Sequence, residues 1–144
     1  MSGTGKSTVL AELARRGHRV VDTDVGGWID ESGPEPLWRE ERIAALLDED
    51  SDGALFVAGC VANQGRFYPR FDAVVLLSAP ADVILDRVAA RVTNDFGKSD
   101  AERKKILEDL SSVEPLLRAG ASAEIDTRRL LDDVAAELER LADV

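Results

Sequence analysis

Met1-Ser-Gly-Thr-Gly-Lys-Ser-Thr-Val-Leu10 opens the chain, and the reading of the rest depends on it. Gly3, Gly5, Lys6 and Ser7 read as a phosphate-binding loop running into a helix. The full pattern is Gly, four residues, then Gly-Lys-Ser/Thr, and Gly5-Lys6-Ser7 fills its second half. The chemistry demands these residue types. The backbone must turn its N–H groups inward around phosphate oxygens, and glycine reaches the positive φ that does so. The helix behind the loop points its positive end at the same oxygens. Lys6 is placed to reach the β- and γ-phosphates, and Ser7 to put its hydroxyl on Mg²⁺. Ser2, Gly3, Thr4, Gly5, Lys6, Ser7 and Thr8 are therefore the candidate nucleotide-binding residues.

One departure carries an expectation of its own. The pattern's first glycine falls immediately before Met1, and the hydrophobic strand that normally feeds such a loop is not in the sequence. Losing three or four buried aliphatic side chains removes roughly 5–10 kcal/mol at about 1.5–3 kcal/mol each. A whole domain is stable by only about 5–15 kcal/mol. We therefore expect the natural start to lie upstream, with Met1 an internal loop residue.

With 144 residues the chain reads as one domain large enough for a real core, and an apolar content of 44% is ordinary. The net charge of −10 argues against a sequence-independent nucleic-acid surface. Cys60 is the only cysteine, so no internal disulfide forms and a reducing compartment fits. No 18-residue apolar run is present and the start lacks a signal-peptide pattern. The expectation is a cytoplasmic protein without membrane or nucleic-acid partners.

Strand-like and helix-like segments alternate, which predicts a βα architecture with a parallel sheet. Helices are expected over 6–16, 35–50, 80–91, 100–119 and 129–142, with Pro115 breaking or restarting the fourth. Short buried strands are expected over 18–22, 53–58, 71–78 and 123–127. Residues 25–36, rich in Gly and Pro, read as a loop carrying Trp28. Leu37, Ile43, Leu46 and Leu47 are expected to face inward from the helix over 35–50. A short lid is expected around 92–103.

Ligands of open α/β sheets bind beyond the carboxyl ends of the strands. That rule selects Asp22-Thr23-Asp24, the loop 59–65, residues 92–99 and the turn after Asp126. Phosphoryl transfer needs one carboxylate near Mg²⁺ and another to accept the acceptor hydroxyl's proton. Asp22 and Asp24 at a strand end can share that work; the alternative is that they are turn carboxylates. Arg87, Arg91, Lys98, Arg103 and Arg118 cluster around the lid and either neutralise transferring phosphate or form surface ion pairs. Arg66, Tyr68 and Arg70 either hold an anionic acceptor or pack a connection. Trp28 either walls an acceptor pocket or fills the core. Cys60 reads as a small buried residue, His18 has no catalytic role, and no Cys/His set suggests zinc.

The Gly-Thr-Gly-Lys-Ser-Thr loop, the Asp22-Thr-Asp24 strand end, the Arg87-x-x-x-Arg91 pair and the terminal Glu124-Ile-Asp-Thr127 strand resemble the small P-loop kinases, shikimate-kinase-like and adenylate-kinase-like. The resemblance implies a three-layer α/β P-loop NTPase fold with a parallel sheet of order 2-3-1-4-5, its strand 1 missing or truncated here. It implies Mg-ATP as phosphoryl donor and a small-molecule acceptor. It implies Asp24 on the acceptor hydroxyl, Asp22 with Ser7 near Mg²⁺, Arg87 against the adenine, Arg91 on phosphate and Arg118 aimed at the transferring group. The turn after Thr127 would hold the adenine edge. The family's triple glycine after the third strand is replaced by Ala58-Gly59-Cys60, which disfavours shikimate. The reading is a Mg-ATP-dependent kinase of a small metabolite. The rivals are a nucleoside-monophosphate kinase, disfavoured by the short segment 28–50, and a non-catalytic nucleotide-binding protein.

Overall fold

Apolar runs become strands, and the two long-range strand pairs are parallel, as expected of crossover connections through helices. The computed structural model describes residues 3–49, 52–90 and 99–143. The chain forms two compact units, one of Met1–Lys6 and Ala73–Val134, the other of Ser7–Asp72 and Ala135–Val144.

In the first unit β5 (Val75–Ser78) pairs with β6 (Ala123–Asp126), in register from Val75 opposite Ala123 to Ser78 opposite Asp126. Helix α3 (Ala81–Ala90) follows β5 and turns Ile84 and Val88 into a cluster with Ala79 and Ile106. Helix α4 (Asp100–Ser112) starts at Ser99, whose hydroxyl accepts from the Glu102 N–H at 3.2 Å, a sound N-cap. Pro115 does restart the helix. It sits in the first turn of α5 (Glu114–Gly120), where its missing N–H leaves no intrahelical bond unmade.

In the second unit β1 (Arg19–Asp22) pairs with β4 (Leu55–Ala58), in register from Arg19 opposite Leu55 to Asp22 opposite Ala58. Helix α1 (Lys6–Arg15) precedes β1 and buries Val9, Leu10 and Leu13. Helix α2 (Glu40–Asp48) buries Ile43 and Leu46. Trp38, Ile43 and Phe67 form a core cluster, lined by Trp28, Val57 and Phe71 among others. Helix α6 (Leu131–Leu141) closes the chain and buries Leu138.

Of the expected order 2-3-1-4-5, two pairings are present, 2-3 as β1–β4 and 4-5 as β5–β6. They lie in separate two-stranded sheets rather than one, because strand 1 has no counterpart among the described residues. The architecture is the mixed α/β arrangement of parallel strands and helices that characterises P-loop NTPases.

The segment 25–38 departs from expectation. It holds an antiparallel hairpin, β2 (Ile29–Asp30) with β3 (Leu37–Trp38), where a loop and a helix start were expected. Leu37 is consequently exposed on a strand rather than inward on a helix. The physical reason is local. The Arg39 N–H is committed to the Trp28 carbonyl at 2.7 Å, continuing the hairpin ladder, so the helix begins only at Glu40. Trp38 is then drawn inward, with its indole N–H on the Thr23 hydroxyl at 3.0 Å. The expected loop over 59–65 also runs into a 3₁₀ helix (Gln64–Arg70).

A part-buried ion-pair chain ties α1 to α6 within the second unit. Glu12, 7% exposed, accepts from Arg15 at 2.5 and 2.9 Å and from Arg16 at 3.1 Å. Arg16 also donates to Glu139 at 2.5 Å, and Glu139 meets His18 Nε2 at 2.7 Å. The two arginines pull the Glu12 carboxyl down from the ordinary 4.5 to about 2. His18, then Arg16, lowers that of Glu139. A depressed carboxylate stabilises the fold above its unfolded value and loses that contribution as pH falls through the folded one. We expect stability to decline from about pH 4.5 towards pH 2, and Glu12→Gln to flatten that slope. Urea midpoints measured across the range check it, and an unchanged slope in the variant would refute the assignment.

Candidate nucleotide-binding site

Gly3 and Gly5 both adopt positive φ, 78° and 96°. These are the two positions where the loop must turn its amides, and a residue with a Cβ is strained at such angles. Gly3 is also pinned by packing. A Cβ there would stand 2.7 Å from Ile84 Cγ2 and 3.0 Å from the Ile84 carbonyl. Thr4, between the glycines, is buried. The loop is therefore seated on α3 of the first unit.

Three further contacts hold that seat. Arg87 Nη1 donates to the Gly3 carbonyl at 3.2 Å and to Thr127 Oγ1 at 2.7 Å. Its Nη2 donates to the Thr127 carbonyl at 2.7 Å. Thr127, just past β6, bonds the Ser78 carbonyl at the end of β5 through its N–H at 2.8 Å and its hydroxyl at 3.2 Å.

Lys6 opens α1 and is half-buried, and its ammonium has no hydrogen-bond or ion-pair partner among the described residues. The next residue starts the second unit. There Ser7 Oγ donates to Asp22 Oδ2 at 3.3 Å, so the two expected Mg²⁺ ligands are in contact. Asp22 Oδ1 accepts from the Asp24 N–H at 3.0 Å, which ties the strand end into a tight turn. Both Asp22 oxygens are thus placed, whereas the exposed Asp24 carboxylate carries no partner among the described residues. Thr23 between them is buried. Its hydroxyl donates to the Ala58 carbonyl at 2.8 Å, across the β1–β4 pair. Gly59 stands where any Cβ would come within 2.5 Å of that hydroxyl, which is why a glycine follows Ala58.

No group of three or more His, Cys, Asp or Glu that could hold a metal occurs among the described residues. The Ser7–Asp22 pair offers two oxygens. That suits Mg²⁺, which keeps waters and substrate phosphates as its other ligands, better than a metal that needs an all-protein cage.

The remaining expected residues fall as follows. Arg118 is held by Glu124 at 2.7 and 3.2 Å and by Glu114 at 2.7 Å, and Glu124 also accepts from Ser78 Oγ at 2.8 Å. Ser2, Arg91, Lys98 and the lid positions 92–98 lie outside the described residues. Thr8 is exposed on α1. Arg66 pairs with Glu40 at 3.2 Å, Arg70 with Asp48, and Tyr68 accepts from Gln64 at 2.7 Å. Trp28, partly buried, packs against the Trp38 cluster with the Arg42 guanidinium 4.2 Å above its ring. Sequence reasoning missed the Thr127 side of the Arg87 contacts. Thr127 was visible only as a strand end, and nothing in the spacing linked it to Gly3.

A glycine-rich turn at positive φ that leads through a lysine and a hydroxyl residue into a helix is the signature of a nucleotide-binding P-loop domain of the NTPase type. The model of the AAA domain family matches residues 1–108, and the chain belongs to that family. No curated protein matches the chain. Among the described residues no helix is long and apolar enough to cross a membrane.

Proposed function

We propose that this chain is a Mg-ATP-dependent phosphotransferase acting on a hydroxyl of a small molecule. The observation that carries it is Lys6. A half-buried ammonium with no counter-charge among the described residues, in a chain of net charge −10, calls for an anionic ligand. The loop beside it is shaped for phosphate. ATP would supply the activated phosphoryl group, with Mg²⁺ held by Ser7 and Asp22 neutralising its charge. Lys6 would balance the β- and γ-phosphates. Asp24, exposed and with no partner among the described residues, would accept the proton of the acceptor hydroxyl, while Asp22 is assigned to the metal. Arg91 is assigned to phosphate, and Arg118 would join it only by leaving Glu114 and Glu124.

Two measurements test this reading. With γ-labelled ATP and a panel of small hydroxylated acceptors that includes AMP and CMP, we expect label on one acceptor, lost in Asp24→Asn. Transfer to AMP or CMP alone would make the chain a nucleoside-monophosphate kinase. ATP binding with no transfer to any acceptor would make it a non-catalytic binder. Separately, Asp22→Asn should raise the Mg²⁺ concentration needed for half-maximal ATP binding by about tenfold or more, the low end for losing a group that steadies a metal. An unchanged Mg²⁺ requirement removes Asp22 from the metal.

A further inference from the structure

We infer that Arg87 is a positioning residue that holds the phosphate loop in its ligand-ready shape through main-chain contacts, rather than a residue that reads the base. The inference rests on the phosphate-loop reading above and goes beyond it by assigning how the loop is kept open. The geometry is specific. One guanidinium bridges the carbonyl of Gly3, inside the loop, to both the hydroxyl and the carbonyl of Thr127. Thr127 is itself fixed to the end of β5 through two bonds to the Ser78 carbonyl. The strap thus runs from a sheet edge, through Thr127 and Arg87, to the loop backbone. Pulling the Gly3 carbonyl toward Arg87 sets the peptide plane between Gly3 and Thr4, and with it the direction of the Thr4 N–H. Gly5 packs beside the same strap: a Cβ there would lie 3.7 Å from Thr127 Cβ and 3.9 Å from Arg87 Nη1.

The planar fork suits this task. Arg87 presents donors in two directions at once, which a lysine's single ammonium cannot reproduce. The bonds to Gly3 and Thr127 give the guanidinium a task that needs no base, whereas the resemblance to small P-loop kinases assigned it to the adenine. Base recognition and loop support therefore make opposite predictions for a ligand that has phosphates and no base.

The test compares Mg-ATP with Mg-tripolyphosphate by calorimetry, in the full chain and in Arg87→Met, Arg87→Lys and Thr127→Val. A hydrogen bond to a charged group is worth about tenfold or more in affinity, and the loop amides make theirs only while their peptide planes are held in place. We expect Arg87→Met to weaken both ligands by the same factor, about tenfold or more. Thr127→Val should act in the same direction on both, and Arg87→Lys should restore part of the loss. Amide hydrogen exchange of residues 3–6 without ligand should quicken in Arg87→Met and in Thr127→Val. Loss of ATP binding with tripolyphosphate unaffected would overturn the inference in favour of base reading. So would unchanged exchange in both variants. If the unaltered chain binds neither ligand, the phosphate-loop reading fails, while the exchange data still decide whether Arg87 holds the loop.

Discussion

Lys6→Ala should abolish measurable nucleotide binding while leaving the fold intact. Each hydrogen bond to a charged group contributes about 1.5–3 kcal/mol. Two of them, to the β- and γ-phosphates, amount to about 3–6 kcal/mol, or roughly 10²–10⁴-fold in affinity at about 1.4 kcal/mol per tenfold. The folding side of the same substitution has the opposite sign. Lys6 is the first residue of α1 and has no carboxylate partner among the described residues. A cation in the first helical turn opposes the helix dipole by about 0.3–1 kcal/mol at the surface. Alanine there should leave thermal stability unchanged or slightly raised. Calorimetric titration of Mg-ATP, paired with a melting curve, separates the two effects. A variant that binds ATP as tightly as the unaltered chain would end the phosphate-loop reading. One that loses binding only because it melts lower would show Lys6 to be structural.

That split between local stability and ligand demand also explains what the sequence disclosed. The loop was legible because its glycines and lysine answer to chemistry fixed by the phosphate, and Gly3 and Gly5 do take positive φ. The strand pairs were legible because runs such as Leu55–Ala58 and Val75–Ser78 have one use in an α/β chain. The hairpin over 29–38 was not. Its strands are two residues each, too short for any alternation to register, and its identity depends on Trp38 meeting Thr23 across the unit. The arginines were the least legible. Arg66, Arg70 and Arg118 look alike in a sequence of net charge −10, yet the fold matches Arg66 and Arg70 to one carboxylate each and Arg118 to two. Arg87 differs from them in meeting carbonyls and a hydroxyl instead, and only coordinates reveal that.

Ile84→Ala should cost about 2–5 kcal/mol, the range for removing a fully buried isoleucine. Its side chain is 0% exposed among Ala79, Val88 and Ile106, so little around it can collapse into the space. At about 3 °C per kcal/mol for a chain of this size, the melting temperature should fall by roughly 6–15 °C. The substitution has a second use, because Ile84 Cγ2 is the atom nearest to where a Gly3 Cβ would stand. Gly3→Ala alone should cost about 1–2 kcal/mol for its left-handed φ. Overpacking against α3 should add about 1–3 kcal/mol. Removing the Ile84 side chain relieves much of the second cost and none of the first, while the Ile84 carbonyl at 3.0 Å stays in place. The double variant should therefore be more stable than the sum of the single losses by about 1–3 kcal/mol, well above the ~0.5 kcal/mol within which independent sites add. Urea melts of the four chains give the number. Strict additivity would mean that Gly3 does not pack against Ile84 in solution, and the loop would then be held to α3 through Arg87 alone.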